Sequence, residues 1–218
     1  IADNNEYERL QFRFGGQQAE SDANSAFFLF AFIVGIFLMS ILLMVQLNSF
    51  YQVFIIVSAV ILSTAGVQLG LLVTQQISSA LFTSLGVIAL AGIVVNNNIV
   101  LVDTYNVISK ENPNLSRDQI VVRTAAQRLR PIILTTATTV IGLLPLASGI
   151  GVDFYQRNIE IGGRVSEWWQ PMSFAVVWGL TFASGLTLFL TPCWLMLPEA
   201  LRKTVRNIKN TFLKTASE

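Results

Sequence analysis

Eighty consecutive residues, 23–102, contain no Asp, Glu, Lys or Arg. Two further stretches, 131–152 and 168–198, are uncharged in the same way. A helix needs about 20 mostly apolar residues to cross the hydrocarbon core of a bilayer. The long stretch therefore has room for three membrane helices, and each shorter stretch has room for one. Only 12% of all residues are charged, against about 25% in soluble domains. The sequence predicts an all-α integral membrane protein with five transmembrane helices.

Polar segments separate these helices and set the predicted organisation. Alternating apolar and polar residues around Phe12 indicate the last strand of a soluble domain, followed by a lead-in to the membrane. The chain begins at Ile1 and no signal peptide precedes the first helix, so we expect a piece of a larger protein. The predicted segments are a lead-in at 1–22, three helices within 23–102, a polar segment at 103–130, a helix at 131–150, a polar segment at 151–170, a helix at 171–198 and a basic tail at 199–218.

The polar segment 103–130 carries a further prediction. After the turn at Pro113, apolar residues recur at helical spacing among charged ones, which is typical of an amphipathic helix lying on a membrane surface. Lys and Arg number five here and five in the tail, against two in residues 1–22 and two in residues 151–167. Basic residues accumulate on the cytoplasmic side, so the sequence predicts an outside N-terminus and a cytoplasmic C-terminus.

Three consecutive asparagines, Asn96, Asn97 and Asn98, interrupt the aliphatic third helix. On a helical wheel, Gly92 and Asn96 share one stripe with Asp103. Small residues let helix backbones approach, and an amide can then bond across the contact. Polar groups at membrane depth also mark ion or proton pathways. Two interpretations stay open: the asparagines hold helices together, or Asn96 and Asn97 belong to a pathway.

Small residues point to close helix contacts at two places. Gly66 and Gly70 form a small-xxx-small pair in the second predicted helix, and Gly92 lies on the Asn96 stripe of the third. Because small residues allow membrane helices to approach closely, we predict that these three glycines are helix-packing positions.

A second polar series lies at the start of the fourth predicted helix, where Arg128 and Thr135 are seven residues apart and share a face. Arg128 either anchors the helix in the cytoplasm or belongs to a pathway. Thr135 either lines that pathway or only bonds a carbonyl of its own helix. With no His, a single cysteine (Cys193) and no carboxylate pair within a predicted span, the sequence predicts no enzyme, no cofactor and no metal site. We also expect no nucleic-acid partner, although the net charge of +1 carries no information on that point.

Three motifs together resemble a known family: GIVVNN at 92–97, RLRPIILTT at 128–136 and GLLPL at 142–146. They are similar to the C-terminal membrane half of resistance–nodulation–division (RND) efflux transporters, and the resemblance covers essentially the whole chain. It implies a homotrimeric, proton-driven exporter of drugs, lipophilic compounds or metal ions in the bacterial inner membrane, with a periplasmic N-terminus. Implied partners are the N-terminal half of the same twelve-helix transporter, a periplasmic adaptor, an outer-membrane channel and the lipid bilayer.

The resemblance also marks one departure. Many drug exporters of the family have a lysine at the position of Asn96, facing buried aspartates of the N-terminal half, whereas Arg128 and Thr135 match relay positions. An amide can bond a carboxylate but cannot form a salt bridge or release a proton. No Asp, Glu, Lys, Arg or His lies within a predicted span, so the module is not expected to transport alone. The alternatives are a non-transporting helical scaffold and a sterol-sensing or lipid-handling relative.

Overall fold

The computed structural model describes residues 17–75, 79–153 and 158–215, and within them five long helices form a bundle. Each helix contains an apolar segment long enough to span a bilayer. This confirms the predicted all-α membrane fold with five transmembrane helices. The strand predicted around Phe12 lies outside the described residues. The helices are α1 (Gln17–Leu47), α2 (Phe50–Thr74), α3 (Ala80–Glu111), α4 (Arg117–Ala147) and α5 (Arg164–Thr215).

The short connections between helices are built from residues suited to tight turns. Asn48, between α1 and α2, has φ of 48°, a left-handed conformation that Asn tolerates better than most residues. Ser49 then caps α2 by accepting a hydrogen bond from the Gln52 amide at 3.5 Å. Ser116 and Gln119 form a reciprocal capping box at the start of α4. These signals explain why the chain reverses direction after so few residues.

The polar segment after α4 contains a small hairpin rather than only a loop. Strands β1 (Ile150–Asp153) and β2 (Asn158–Ile161) pair antiparallel, with Ile150 opposite Ile161. Gly149 and Gly162 flank the hairpin with φ of 74° and 81°, which a residue with a Cβ rarely adopts. The hairpin joins the end of α4 directly to the start of α5.

Helix α4 differs from the sequence prediction at its boundary. The sequence predicts a separate amphipathic helix on the membrane surface within residues 103–130. The structure instead has one helix, which begins at Arg117 and continues through Pro131 without a break to Ala147. The boundary expected at Pro131 is therefore absent, and Pro131 lies in the helix interior. Val121 and Ile132, on either side of this position, are buried because they pack with Leu101 of α3 and Leu195 of α5 in one apolar cluster. Packing in the bundle outweighs the local cost of proline.

Helix α5 lies at the centre and packs against α2, α3 and α4. Close approach of α2 depends on two glycines. A Cβ added at Gly66 would lie 2.5 Å from the Phe182 Cβ, and one added at Gly70 would lie 2.5 Å from the Trp178 Cβ. Like α4, helix α1 is mostly exposed, since only 6% of its apolar window is buried. Its exposed phenylalanines and leucines form the kind of surface that lipid or further membrane helices cover.

Candidate functional site

The asparagine triplet divides between two sides of α3. Asn98 is fully buried, Asn97 is half-buried and Asn96 is exposed. Successive residues of a helix are rotated by about 100°, so the three amides point in three directions. The two interpretations of the triplet therefore apply to different residues.

Asn98 connects α3 to α5 through a network that satisfies its amide. Its Nδ2 donates to the Val94 carbonyl at 2.9 Å and to Thr187 Oγ1 at 3.1 Å. Its Oδ1 accepts a hydrogen bond from Thr191 Oγ1 at 2.8 Å. Thr187 and Thr191 are also buried. Hydrogen bonds between membrane helices hold them together. The bonds of Asn98 to Thr187 and Thr191 are of this kind and join α3 to α5.

Asn96 lies on the opposite, open side of α3. The described residues supply no hydrogen-bond partner to its side chain, and it shares an exposed stripe with Gly92 and Asp103. A Cβ added at Gly92 meets no atom within 4 Å in the described part of the chain. The predicted stripe of small and polar residues is thus a surface of this bundle rather than one of its internal contacts.

Arg128 lies where α4 meets the second half of α3. Its Nε donates a hydrogen bond to Thr104 Oγ1, while the Thr104 hydroxyl donates to the Val100 carbonyl at 2.7 Å. Arg128 and Asp103 also line one polar cavity of about 250 Å³ between α3 and α4. Arg128 as a whole is half-buried, and it lies three residues before Pro131, where the uncharged part of α4 begins.

The threonines of α4 separate into two groups. Thr135 Oγ1 donates to the Pro131 and Ile132 carbonyls at 3.1 and 3.0 Å, and Thr138 and Thr139 likewise bond carbonyls of their own helix. Thr136 is the exception, since its Oγ1 lies 2.6 Å from Ser184 Oγ on α5. Thr135 is exposed and Thr136 is half-buried, so only Thr136 links two helices.

Asn96 and Thr135 lie at similar depths along the bundle. Helices α3 and α4 are antiparallel neighbours joined by a short turn, and Thr104 contacts Arg128. At 1.5 Å per residue, Asn96 lies about 12 Å from the level of Thr104, and Thr135 lies about 10 Å from the level of Arg128 in the same direction. The structure thus brings Arg128 to α3 and places Asn96 and Thr135 on exposed faces at one level.

Three hydroxyl residues of α5, none of them a predicted site residue, connect α5 to α3 and α4. Ser184, Thr187 and Thr191 lie on one face of α5 and bond to α4 and α3. Their spacing of three and four residues is a helical-face pattern that the sequence displays. Small hydroxyl residues are common in membrane helices and usually bond their own backbone, so the spacing alone did not reveal their partners.

A scan of protein-family models matches residues 7–198 to the AcrB/AcrD/AcrF family. The chain is 33% identical to the multidrug resistance protein MdtC of Citrobacter koseri over 144 residues, covering 65% of this chain and 12% of the relative. It is 31% identical to the swarming motility protein SwrC of Bacillus subtilis over 162 residues, covering 74% of this chain and 14% of the relative.

Solved structures that are similar to this chain also belong to an efflux protein. Two crystal forms of a heavy metal efflux pump align at 30% sequence identity, with TM-scores of 0.62 and 0.60, covering 85% and 76% of this chain but only 17% and 15% of the pump. The chain therefore spans about an eighth to a sixth of the length of these relatives.

Proposed function

Because the chain belongs to the AcrB/AcrD/AcrF family, we propose that it is the C-terminal membrane module of a proton-driven RND efflux permease, and that it requires the rest of the transporter for export. One observation carries this proposal: Asn96 is exposed in the middle of a membrane helix. Lipid hydrocarbon offers no hydrogen-bond partner, and each polar group left unsatisfied there costs several kcal/mol. A further polar protein surface must therefore cover the Asn96 stripe.

The covering surface that fits best carries carboxylates. The Asn96 amide offers two N–H donors to a carboxylate, and Gly92, one turn away, leaves space for a second helix to approach. Neither Asn96 nor Arg128 can release a proton at accessible pH. The titrating groups of the pathway would then lie on the covering surface, while Asn96, Asn97, Arg128 and Thr135 shape its surroundings.

The same proposal extends to location and partners. The module would lie in a bacterial inner membrane with its N-terminus in the periplasm and its basic tail in the cytoplasm, where Lys and Arg accumulate. The whole protein would work as a homotrimer with a periplasmic adaptor and an outer-membrane channel. Relatives described as multidrug resistance proteins and as a heavy metal efflux pump support drugs, lipophilic compounds or metal ions as the substrate classes.

The test uses the full-length transporter in cells, with efflux of ethidium and growth on Zn²⁺ as readouts. Asn96→Leu removes the amide and keeps a side chain of similar size. We expect export to fall at least about tenfold, since a hydrogen bond to a charged group contributes about 1.5–3 kcal/mol. Membrane levels should stay close to wild type, because Asn96 makes no contact on which this bundle depends.

A matched control is Asn114→Leu, the same change at an exposed position in the turn between α3 and α4. This variant should export normally. Full export by Asn96→Leu at a normal membrane level would contradict the proposed role of the stripe and would favour a scaffold function.

A further inference from the structure

We propose that the hydroxyl column of α5, defined as Ser184, Thr187 and Thr191, is a positioning device that fixes the rotation of α3 and α4 and thereby directs Asn96 and Thr135 toward the transport pathway. This inference rests on the proposed function, because it names the residues that orient the pathway side chains. None of the three column residues is on the exposed stripe; all three are buried.

The column first resolves an ambiguity in α3. Three adjacent asparagines are chemically identical, so α3 could present any of them to α5. Thr187 and Thr191 are one helical turn apart and thus neighbours on the α5 surface. Together they offer one hydroxyl that accepts and one that donates. Asn98 bonds to both hydroxyls: its Nδ2 donates a hydrogen bond to Thr187 Oγ1, and its Oδ1 accepts one from Thr191 Oγ1.

The direction in which Asn98 points also determines the direction in which Asn96 points, because both lie on one rigid helix. The two residues are separated by about 200° around the helix, so an α3 that turns Asn98 toward α5 must turn Asn96 away from it. Rotating α3 by one residue would bring Asn97 to the column and move Asn98 into a position without these partners. A buried polar group that loses its partners is costly, and a single buried amide can select one register among several.

The column fixes the rotation of α4 in the same way, through a hydrogen bond between helices. The Ser184 hydroxyl donates its proton to the Leu180 carbonyl at 2.7 Å. A hydroxyl has a single proton, so in the 2.6 Å contact between Thr136 and Ser184 the donor is Thr136. With Thr136 turned toward α5, its neighbour Thr135 is rotated by about 100° onto the exposed face, where it is observed.

No charge interferes with this arrangement at its own level. Residues 50–74 of α2 and 168–198 of α5 carry no ionisable acid or base among Asp, Glu, Lys, Arg and His. The charged side chains that flank the level on the neighbouring helices are Asp103 on α3 and Arg128 and Arg130 on α4. The column is therefore a neutral set of hydrogen-bond donors and acceptors that orients its neighbours and does not itself ionise.

The experiment compares two substitutions at Thr191 in the full-length transporter. Thr191→Val keeps the shape and removes the donor, whereas Thr191→Ser keeps the hydroxyl. Thr181→Val is the control, because the exposed Thr181 hydroxyl only donates to the Val177 carbonyl of its own helix at 2.7 Å. Ethidium efflux is measured against pH for each variant beside Asn96→Leu, together with membrane levels.

We expect Thr191→Val to lower export by about threefold to twentyfold, the range set by hydrogen bonds between membrane helices, at an unchanged membrane level. Its pH profile should shift toward higher pH, as in Asn96→Leu, because a carboxylate that loses a donor to its charged form has a raised pKa. Thr191→Ser and Thr181→Val should match wild type in both rate and profile.

Wild-type export by Thr191→Val would overturn the inference, and so would a loss explained by membrane level alone with an unchanged pH profile. If Thr191→Val does not accumulate, Thr187→Val replaces it, since that change leaves the bond between Thr191 and Asn98 in place. Failure of both valine variants to accumulate would show a need for folding only and would also overturn it. Wild-type export by Asn96→Leu overturns the proposed function, whereas impaired Asn96→Leu beside normal Thr191→Val overturns the positioning role alone.

Discussion

The two sides of α3 each carry an asparagine, but the surroundings of the two side chains differ. On the side that faces α5, the Asn98 amide has every bond it needs from Val94, Thr187 and Thr191. On the other side, Asn96 is exposed and lies beside Gly92, around which there is open space. An amide in a membrane helix is therefore not by itself a sign of function, because whether its own bundle already satisfies it decides what it can do.

The same contrast runs through the neighbouring helices. Gly66 and Thr136 lie on packed faces and contact α5, whereas Thr135 lies on an open face and bonds only its own backbone. Substitutions on packed faces outside the hydroxyl column of α5 should act through the amount of folded protein. Substitutions on open faces should act through transport at a normal amount of protein.

The largest effect is expected at Gly66. Gly66→Leu would place a Cβ within 2.5 Å of the Phe182 Cβ, so α2 and α5 must separate, and overpacking of this kind typically costs about 1–3 kcal/mol or more. We expect membrane levels to fall sharply and the melting temperature of the purified transporter to drop. Both quantities are measured by fluorescence-detected gel filtration after heating.

Gly35→Leu on α1 is the matched control, since a Cβ there meets no atom of the described residues within 4 Å. Equal stability of the two leucine variants would contradict the packing role of Gly66. Gly92→Leu tests the open side of α3. A loss of stability in the full-length protein would show that a partner outside this chain packs on the Asn96 stripe.

An intermediate effect is expected at Arg128. Arg128→Lys keeps the positive charge but loses the planar set of five donors, one of which bonds Thr104. We expect export to fall by about threefold to tenfold with membrane level unchanged. This is less than the loss of a whole hydrogen bond to a charged group, about 1.5–3 kcal/mol, because the lysine ammonium keeps the charge and can still donate. Export is measured as ethidium efflux. Arg117→Lys, at the exposed first turn of α4, should change neither quantity, and normal export by both variants would reduce Arg128 to an anchor.

The sequence predicts the membrane helices and part of the open face of α3, but it does not predict how each helix is rotated in the bundle. Uncharged runs and basic segments predicted five membrane helices, because a bilayer requires helices of a known length. The stripe of Gly92, Asn96 and Asp103 was also predicted from spacing. Which side of α3 faces α5 was not predictable, since three adjacent asparagines give periodicity no preference. The boundary at Pro131 was misplaced because proline normally starts or breaks a helix, and only packing shows that α4 continues.

The smallest effect separates two adjacent threonines of α4 that the sequence cannot tell apart. Thr136→Val removes the donor to Ser184 on α5, and interhelical hydrogen bonds in membrane proteins contribute about 0.6 kcal/mol on average. Thr135→Val removes only bonds to carbonyls of its own helix, which valine tolerates because those carbonyls keep their backbone bonds. We therefore expect the free energy of unfolding in detergent, measured by denaturant titration, to fall by about 0.6 kcal/mol for Thr136→Val and to change little for Thr135→Val. A larger loss for Thr135→Val would mean that its face is packed in the folded transporter, so that the open side of the bundle is also a structural one.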